Sequence, residues 1–182
     1  FIGLVIISPI FIVLLIIGYF DTGFPVFRQE RVGKGKQPFR LMKFRSMHVN
    51  APSVATHLAS ASSITPFGSF LRKSKLDELP QLWNVFIGDM SLVGPRPLLM
   101  QYLLRYSPEQ AKRHNVKPGI TGWAQVNGRN AISWEQKFKL DVEYVEKQSF
   151  ILDLKILWLT FLNVIQRKGI SADGHVTMEE FK

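Results

Sequence analysis

The chain opens on an apolar run, Phe1 to Phe20, with no charged side chain in it. As continuous helix such a run reaches about 30 Å, the thickness of a bilayer's hydrocarbon core, so a membrane segment is expected. Pro9 removes a backbone donor and crowds the carbonyl four residues back. A kink is therefore expected there, with the Ser8 hydroxyl placed to satisfy a freed backbone group. Two topologies follow: a kinked helix that crosses, and one that dips into a single leaflet and returns. From these residues alone the crossing helix is favoured, as the commoner case. A cleaved signal peptide is not expected, since neither a basic leader nor a small-residue cleavage site is present, and further residues are expected upstream of Phe1.

After Asp21 the periodicity shortens. Val26–Phe27 and Phe39–Phe44 read as strands of a small hairpin among Gly and Pro turns. Val49 to Thr65 is small, polar and unpatterned, which predicts a mobile loop. A helix is expected from about Asp77, because Pro80 is tolerated only in a first turn, with Leu79, Leu82, Trp83 and Phe86 on one buried face and Gly88 as its stop. Ser107–Gln110 (S-P-E-Q) and Ser133–Gln136 are capping boxes, each opening a helix. The second helix should turn Phe138, Val142 and Val145 inward and run to about Lys147. Phe150 to Arg167 carries Ile151, Leu154, Trp158, Phe161 and Ile165 on one stripe but includes Asp153 and Lys155, so lying in the membrane interface suits it better than crossing. A buried helix of a soluble domain is the close alternative.

Composition narrows the chemistry. At 182 residues the chain can bury a core without staples, and with no cysteine it can form neither a disulfide nor a thiolate metal site. Its four histidines show no HExxH or paired spacing, which argues against zinc. The net charge of +9 favours anionic partners. Its placement matters more: Arg28, Arg31, Lys34, Lys36, Arg40, Lys43 and Arg45 follow the apolar run, as expected for a cytoplasmic flank.

The sharpest polar feature is Asp77-Glu78, with Arg72 before it and Arg96 after it in Gly94-Pro95-Arg96-Pro97. At a helix start the exposed amides would keep Asp77 ionised, ready to act as nucleophile or metal ligand, although Asp is also an ordinary cap there. Flanking prolines stiffen the backbone at Arg96, whose guanidinium suits two phosphate oxygens; a structural salt bridge to Asp89 or Asp77 is the even alternative. The glycine-rich stretch Lys117 to Trp134 brings Asn127, Arg129 and Asn130 together but matches neither the Walker loop nor the dinucleotide fingerprint. Lys43 and Asp141 would not be singled out by spacing. A two-carboxylate glycosidase is excluded, because adjacent residues cannot flank a scissile bond from opposite sides.

Four stretches in order, KFRSM (Lys43–Met47), LDELPQLWNV (Leu76–Val85), GDMSLVGPRP (Gly88–Pro97) and KPGITGWAQVNGR (Lys117–Arg129), resemble the bacterial sugar transferases, more narrowly the monotopic polyprenyl-phosphate phosphoglycosyl transferases. The resemblance implies an α/β, α-rich catalytic domain (residues 21–182) with a short hairpin, several short helices and interfacial amphipathic helices, attached through a re-entrant membrane helix (residues 1–20) broken at Ser8-Pro9. That choice reverses the preference for a crossing helix. It further implies transfer of a phosphosugar from a UDP-sugar to undecaprenyl phosphate at the cytoplasmic face of the bacterial inner membrane, with UMP released and Mg²⁺ required. In that reading Asp77 is the nucleophile and Glu78 its acidic partner, both candidate metal ligands. Lys43, Arg72, Pro95, Arg96, Asn127, Arg129 and Asp141 belong to the substrate site. Expected partners are the two substrates and membrane lipid, without nucleic acid, a homodimer being left open. The ending Ile170–Phe181 is similar to small members that transfer a bacillosamine-type phosphate, with N-acetylhexosamine, galactose and glucose also open. The competing class is a basic membrane-attached binding module for anionic lipid or nucleic acid.

Overall fold

The computed structural model describes residues 2–51, 61–128 and 131–166. Helix α1 spans Ile2–Thr22 with Pro9 inside it, ending two residues beyond the apolar run. It is the one helix among the described residues long and apolar enough to cross a membrane. Pro9 has no N–H for the carbonyl of Val5, and the Ser8 hydroxyl donates to that carbonyl at 2.8 Å. One narrow stripe of α1 packs inward: Phe11, Leu14 and Leu15 meet Phe44, Phe67, Leu71, Leu76 and Leu79. Most of the other apolar side chains of α1 between Val5 and Phe20 are exposed.

The expected hairpin forms, with strand β1 (Val26–Val32) antiparallel to β2 (Pro38–Phe44) in a register that pairs Val26 with Phe44. Both ends of the expected mobile loop are in fact tied down. His48 N–H donates to the Ser63 carbonyl, Ile64 bridges Met47, and Thr65 caps helix α2 (Pro66–Ser74), whose first residue is proline. The interior of that loop lies outside the described residues.

No helix begins at Asp77. Lys75 takes a left-handed conformation that ends α2, a 3-10 turn covers Leu76–Glu78, and helix α3 runs only from Gln81 to Phe86. Pro80 is the physical reason, since it cannot donate to the Leu76 carbonyl, and the chain uses tighter bonds from Glu78 N–H to Lys75 and from Leu79 N–H to Leu76. The buried face of α3 is not the apolar one either. Gln81 and Asn84 are buried, whereas Trp83 and Phe86 are about half exposed. Asn84 accepts from Met42 N–H at 3.0 Å and donates to the Arg40 carbonyl at 2.9 Å, occupying the edge of β2 where a further strand would pair.

A second small sheet pairs β3 (Ser91–Val93) parallel to β4 (Gly119–Thr121). The two chains approach so closely that a Cβ on Gly119 would lie 2.1 Å from the Gly94 nitrogen. Between these strands run a 3-10 segment (Met100–Arg105), helix α4 (Pro108–Ala111) and a 3-10 turn (Lys112–Asn115). Helices α5 (Trp123–Val126), α6 (Trp134–Lys147) and α7 (Phe150–Ile165) complete the described chain. Both capping boxes are present, with Ser107 and Gln110, and Ser133 and Gln136, bonded reciprocally. On α6 the inward residues are Phe138, Asp141, Val142 and Tyr144, one turn position away from the expected Val145. Helix α7 docks through Ile156 on Val93 and Tyr144 and leaves the predicted stripe outward, with Trp158 61% exposed. Among the described residues that stripe is not packed into a core. The architecture is α/β, rich in short helices, with two small sheets.

Candidate active site

Four elements converge on the acidic pair. Strand β2 carries Lys43 outward from the hairpin, α2 carries Arg72 in its last turn, the 3-10 turn carries Asp77 and Glu78, and the segment after β3 carries Pro95 and Arg96. The left-handed Lys75 lets the chain reverse between α2 and the turn, so that both carboxylates come to face β2 rather than continuing the helix.

The two carboxylates are used differently. Glu78 Oε1 accepts from Lys43 Nζ and from Arg96 Nη2, each at 3.0 Å. Burial alone would raise its pKa, but the two cations outweigh that and hold Glu78 well below the usual carboxylate range. Arg96 is held charged chiefly by Glu78, while burial pulls Lys43 down against the same carboxylate. The salt bridge of Arg96 thus goes to Glu78, not to Asp77 or Asp89. Asp77 receives no hydrogen bond among the described residues. Burial raises its pKa, the Lys43 charge opposes the rise and Glu78 adds to it, with Lys75 and Arg96 also opposing. The expected ionising field of a helix start is missing because the turn is short and precedes the helix. Arg72 lies in the field of Asp77 and is steadied by donation from its Nε to the Ser46 hydroxyl at 2.8 Å.

Of the residues singled out in the sequence, Lys43, Arg72, Asp77, Glu78 and Arg96 meet in this cluster, with Pro95 preceding Arg96 in the chain. Pro95 contributes through its main chain, its carbonyl accepting from Gly119 N–H at 3.0 Å. Asp141 does not face the acidic pair: it is buried on α6 and bound to Arg113. Asn127 is exposed and donates to the Trp123 carbonyl, closing its own helix. Arg129 and the Ile170–Phe181 ending lie outside the described residues. Ser8 and Pro9 sit in α1, remote in sequence from the cluster. Sequence reasoning overlooked Arg113, Ser46 and Asn84; for Ser46 the signal was present in KFRSM itself, and for Arg113 no local pattern exists.

Among the described residues no group of three or more His, Cys, Asp or Glu forms a self-sufficient metal cage. The donor set is a carboxylate pair, with Asp77 uncommitted. Mg²⁺ is typically bound by one or two carboxylates together with substrate phosphates and water, so this pair fits a cation shared with a diphosphate and would not suit a cation held by protein alone.

Comparison with known proteins agrees with the geometry. The family model described as bacterial sugar transferase matches residues 1–167. The uncharacterized sugar transferase EpsL of Bacillus subtilis is 57% identical over 160 residues, covering 87% of this chain and 79% of that protein. A UDP-glucose:undecaprenyl-phosphate glucose-1-phosphate transferase of Xanthomonas campestris pv. campestris is 43% identical over 153 residues, 78% of this chain and 32% of its own length. The UDP-galactose-lipid carrier transferase of Erwinia amylovora is 39% identical over 178 residues, 88% of this chain and 37% of that protein. The chain thus spans most of the first relative and about a third of the other two. A match that runs from α1 through every element supporting the carboxylate cluster leaves one assignment: this chain belongs to the bacterial sugar transferase family and is a transferase.

Proposed function

We propose that the protein transfers a phosphosugar from a UDP-sugar to undecaprenyl phosphate at the membrane surface. The observation that carries this reading is the unequal pair: Glu78 gathers Lys43 and Arg96, and Asp77 stands beside it with no hydrogen bond among the described residues. An oxygen of the Asp77 carboxylate attacks the sugar-bearing phosphorus of the donor, and the bond from that phosphorus to the bridging oxygen breaks, so that UMP leaves with the electron pair. A phosphate oxygen of undecaprenyl phosphate then attacks the same phosphorus and releases the carboxylate, giving the lipid diphosphosugar. Splitting one transfer into two displacements is the general advantage of a covalent route.

Arg96 and Arg72 bind and orient the phosphate oxygens, and Lys43 with Glu78 keeps Arg96 in place between them. Mg²⁺ would be held by Asp77 and Glu78 together with the donor, and would offset diphosphate charge. The outward apolar faces of α1 and α7 support attachment to a bilayer, where the lipid acceptor resides. We place the catalytic domain on the cytoplasmic face of the inner membrane, with α1 dipping in and returning. Relatives are named for glucose and galactose, and the transferred sugar here is chosen by a panel of donors.

Incubation of the purified protein with Mg²⁺, undecaprenyl phosphate and a UDP-sugar panel should release UMP with at least one donor. Asp77→Asn should abolish release, since an amide cannot serve as the attacking group. Near-normal turnover in that variant would refute the covalent route, and no UMP from any donor would favour a binding module.

A further inference from the structure

Arg113 lies outside the carboxylate cluster but is bonded to it. It sits on the 3-10 turn Lys112–Asn115 and is 3% exposed. Its Nε donates to Asp141 Oδ2 at 3.0 Å, and its Nη2 lies 2.8 Å from the same oxygen. Nη2 also donates to the main-chain carbonyl of Arg96 at 2.7 Å, and Nη1 donates to the Tyr106 hydroxyl at 3.3 Å. The rings of Tyr106 and Phe138 flank the guanidinium. A buried ion pair alone says little about function, because apolar replacements of similar volume are often as stable. The direction of the third bond is the informative part. It ends on the residue whose own guanidinium holds Glu78.

The segment around Arg96 is anchored on one side by the parallel sheet, where Gly94 N–H donates to Thr121 and the Pro95 carbonyl accepts from Gly119. On the other side the Arg96 carbonyl is held by Arg113. We propose that Arg113, held in turn by Asp141, is a positioning residue for Arg96, fixing its main chain so that its guanidinium meets Glu78 and the donor diphosphate. The diphosphate half of this statement rests on the phosphosugar-transfer reading above. It also gives Asp141 a role at one remove: it orients Arg113 and touches no substrate.

The test uses the full chain in detergent or lipid and two variants. Arg113→Lys keeps a cation for Asp141 but replaces the planar fork, which grips Asp141 through Nε while Nη2 holds the Arg96 carbonyl, with a shorter, freely rotating ammonium that does not fix that geometry. The paired change Arg113→Met with Asp141→Leu removes both charges and preserves the fold if the lysine variant does not. Arg96 has a side chain 41% exposed, so phenylglyoxal reaches it, and peptide mass spectrometry reads its modification rate against the exposed Arg28 on β1. Both variants should raise the Arg96 rate several-fold with Arg28 unchanged; an unchanged Arg96 rate overturns the proposal. This readout does not require turnover, so a wild-type protein silent toward UDP-sugars would refute the reaction and leave this result standing. Where UMP is released, Arg113→Lys should lower kcat/KM by about 10²-fold, the scale of a 1 Å misplacement. In an Arg96→Ala background the same change should cost less than about twofold, because the two residues act through one contact. A full-sized loss in that background would also overturn the proposal.

Discussion

Neutralising each of two adjacent carboxylates should move stability in opposite directions. Glu78 accepts two charge-assisted hydrogen bonds, from Lys43 and Arg96, at 3.0 Å each. Bonds of that kind contribute about 1.5–3 kcal/mol each when well buried, and partial exposure of Arg96 lowers the sum, so Glu78→Gln should cost roughly 2–3 kcal/mol. For a domain of this size that is a fall in Tm of roughly 4–12 °C. Asp77 is disfavoured as an anion by burial and by Glu78, and no hydrogen bond among the described residues compensates it. Asp77→Asn should therefore stabilise the fold by about 1 kcal/mol, or roughly 2–4 °C, while removing turnover. The pH dependence has a defined sign. The pKa of Asp77 is raised on folding, so wild type regains stability as pH falls through the folded value, and the advantage of Asp77→Asn present at neutral pH should vanish near the unfolded value of about 3.9. That of Glu78 is depressed, so its contribution is complete above about pH 4.3 and the Glu78→Gln deficit should narrow only below it. Melting curves followed by tryptophan fluorescence, recorded from neutral pH to about pH 3 in one detergent, read both. A Tm loss of similar size in the two variants at neutral pH would refute the electrostatic division between them.

Gly68→Ala on α2 should drive a Cβ to 2.1 Å from the Ser46 carbonyl oxygen, which is main chain and cannot yield, at a cost of about 3 kcal/mol or more and a Tm loss of roughly 6–12 °C by the same melt; a shift under 2 °C would contradict the packing of α2 on the main chain at Ser46, just after β2. For α1, single cysteines near its two ends should both react with a membrane-impermeant maleimide from the cytoplasmic side alone. Labelling of one end from the opposite side would mean that the helix crosses.

Much of the local structure was legible in the residue order. Ser107–Gln110 and Ser133–Gln136 predicted two helix starts, and both capping boxes are present, because each depends only on bonds spanning three residues. The hairpin followed from alternation around Gly and Pro, and the Ser8 hydroxyl finds the carbonyl that Pro9 strands, again within one turn. The motifs also named the five residues that gather at the cluster. Where local reasoning failed, the decisive partner was distant. Asn84 turns the polar side of α3 inward because the edge of β2, 42 residues away, offers it a donor and an acceptor. At Asp77 the miss was local instead: Pro80 leaves a 3-10 turn where a helix is expected, after a Lys75 whose left-handed backbone, ending α2, is not what a lysine ordinarily announces.

The order of amino acids by itself determined which segments could be helix or strand, the apolar face available for a bilayer, and the set of charged groups available for phosphate chemistry. Folding alone decided how those charges pair. Lys43 and Glu78 are separated by 35 residues and Arg113 and Asp141 by 28, so nothing in the neighbourhood of either pair specifies the partner. Half-buried cations select the carboxylate that packing brings within 3 Å, and here that geometry assigned Glu78 to two cations and left Asp77 uncommitted.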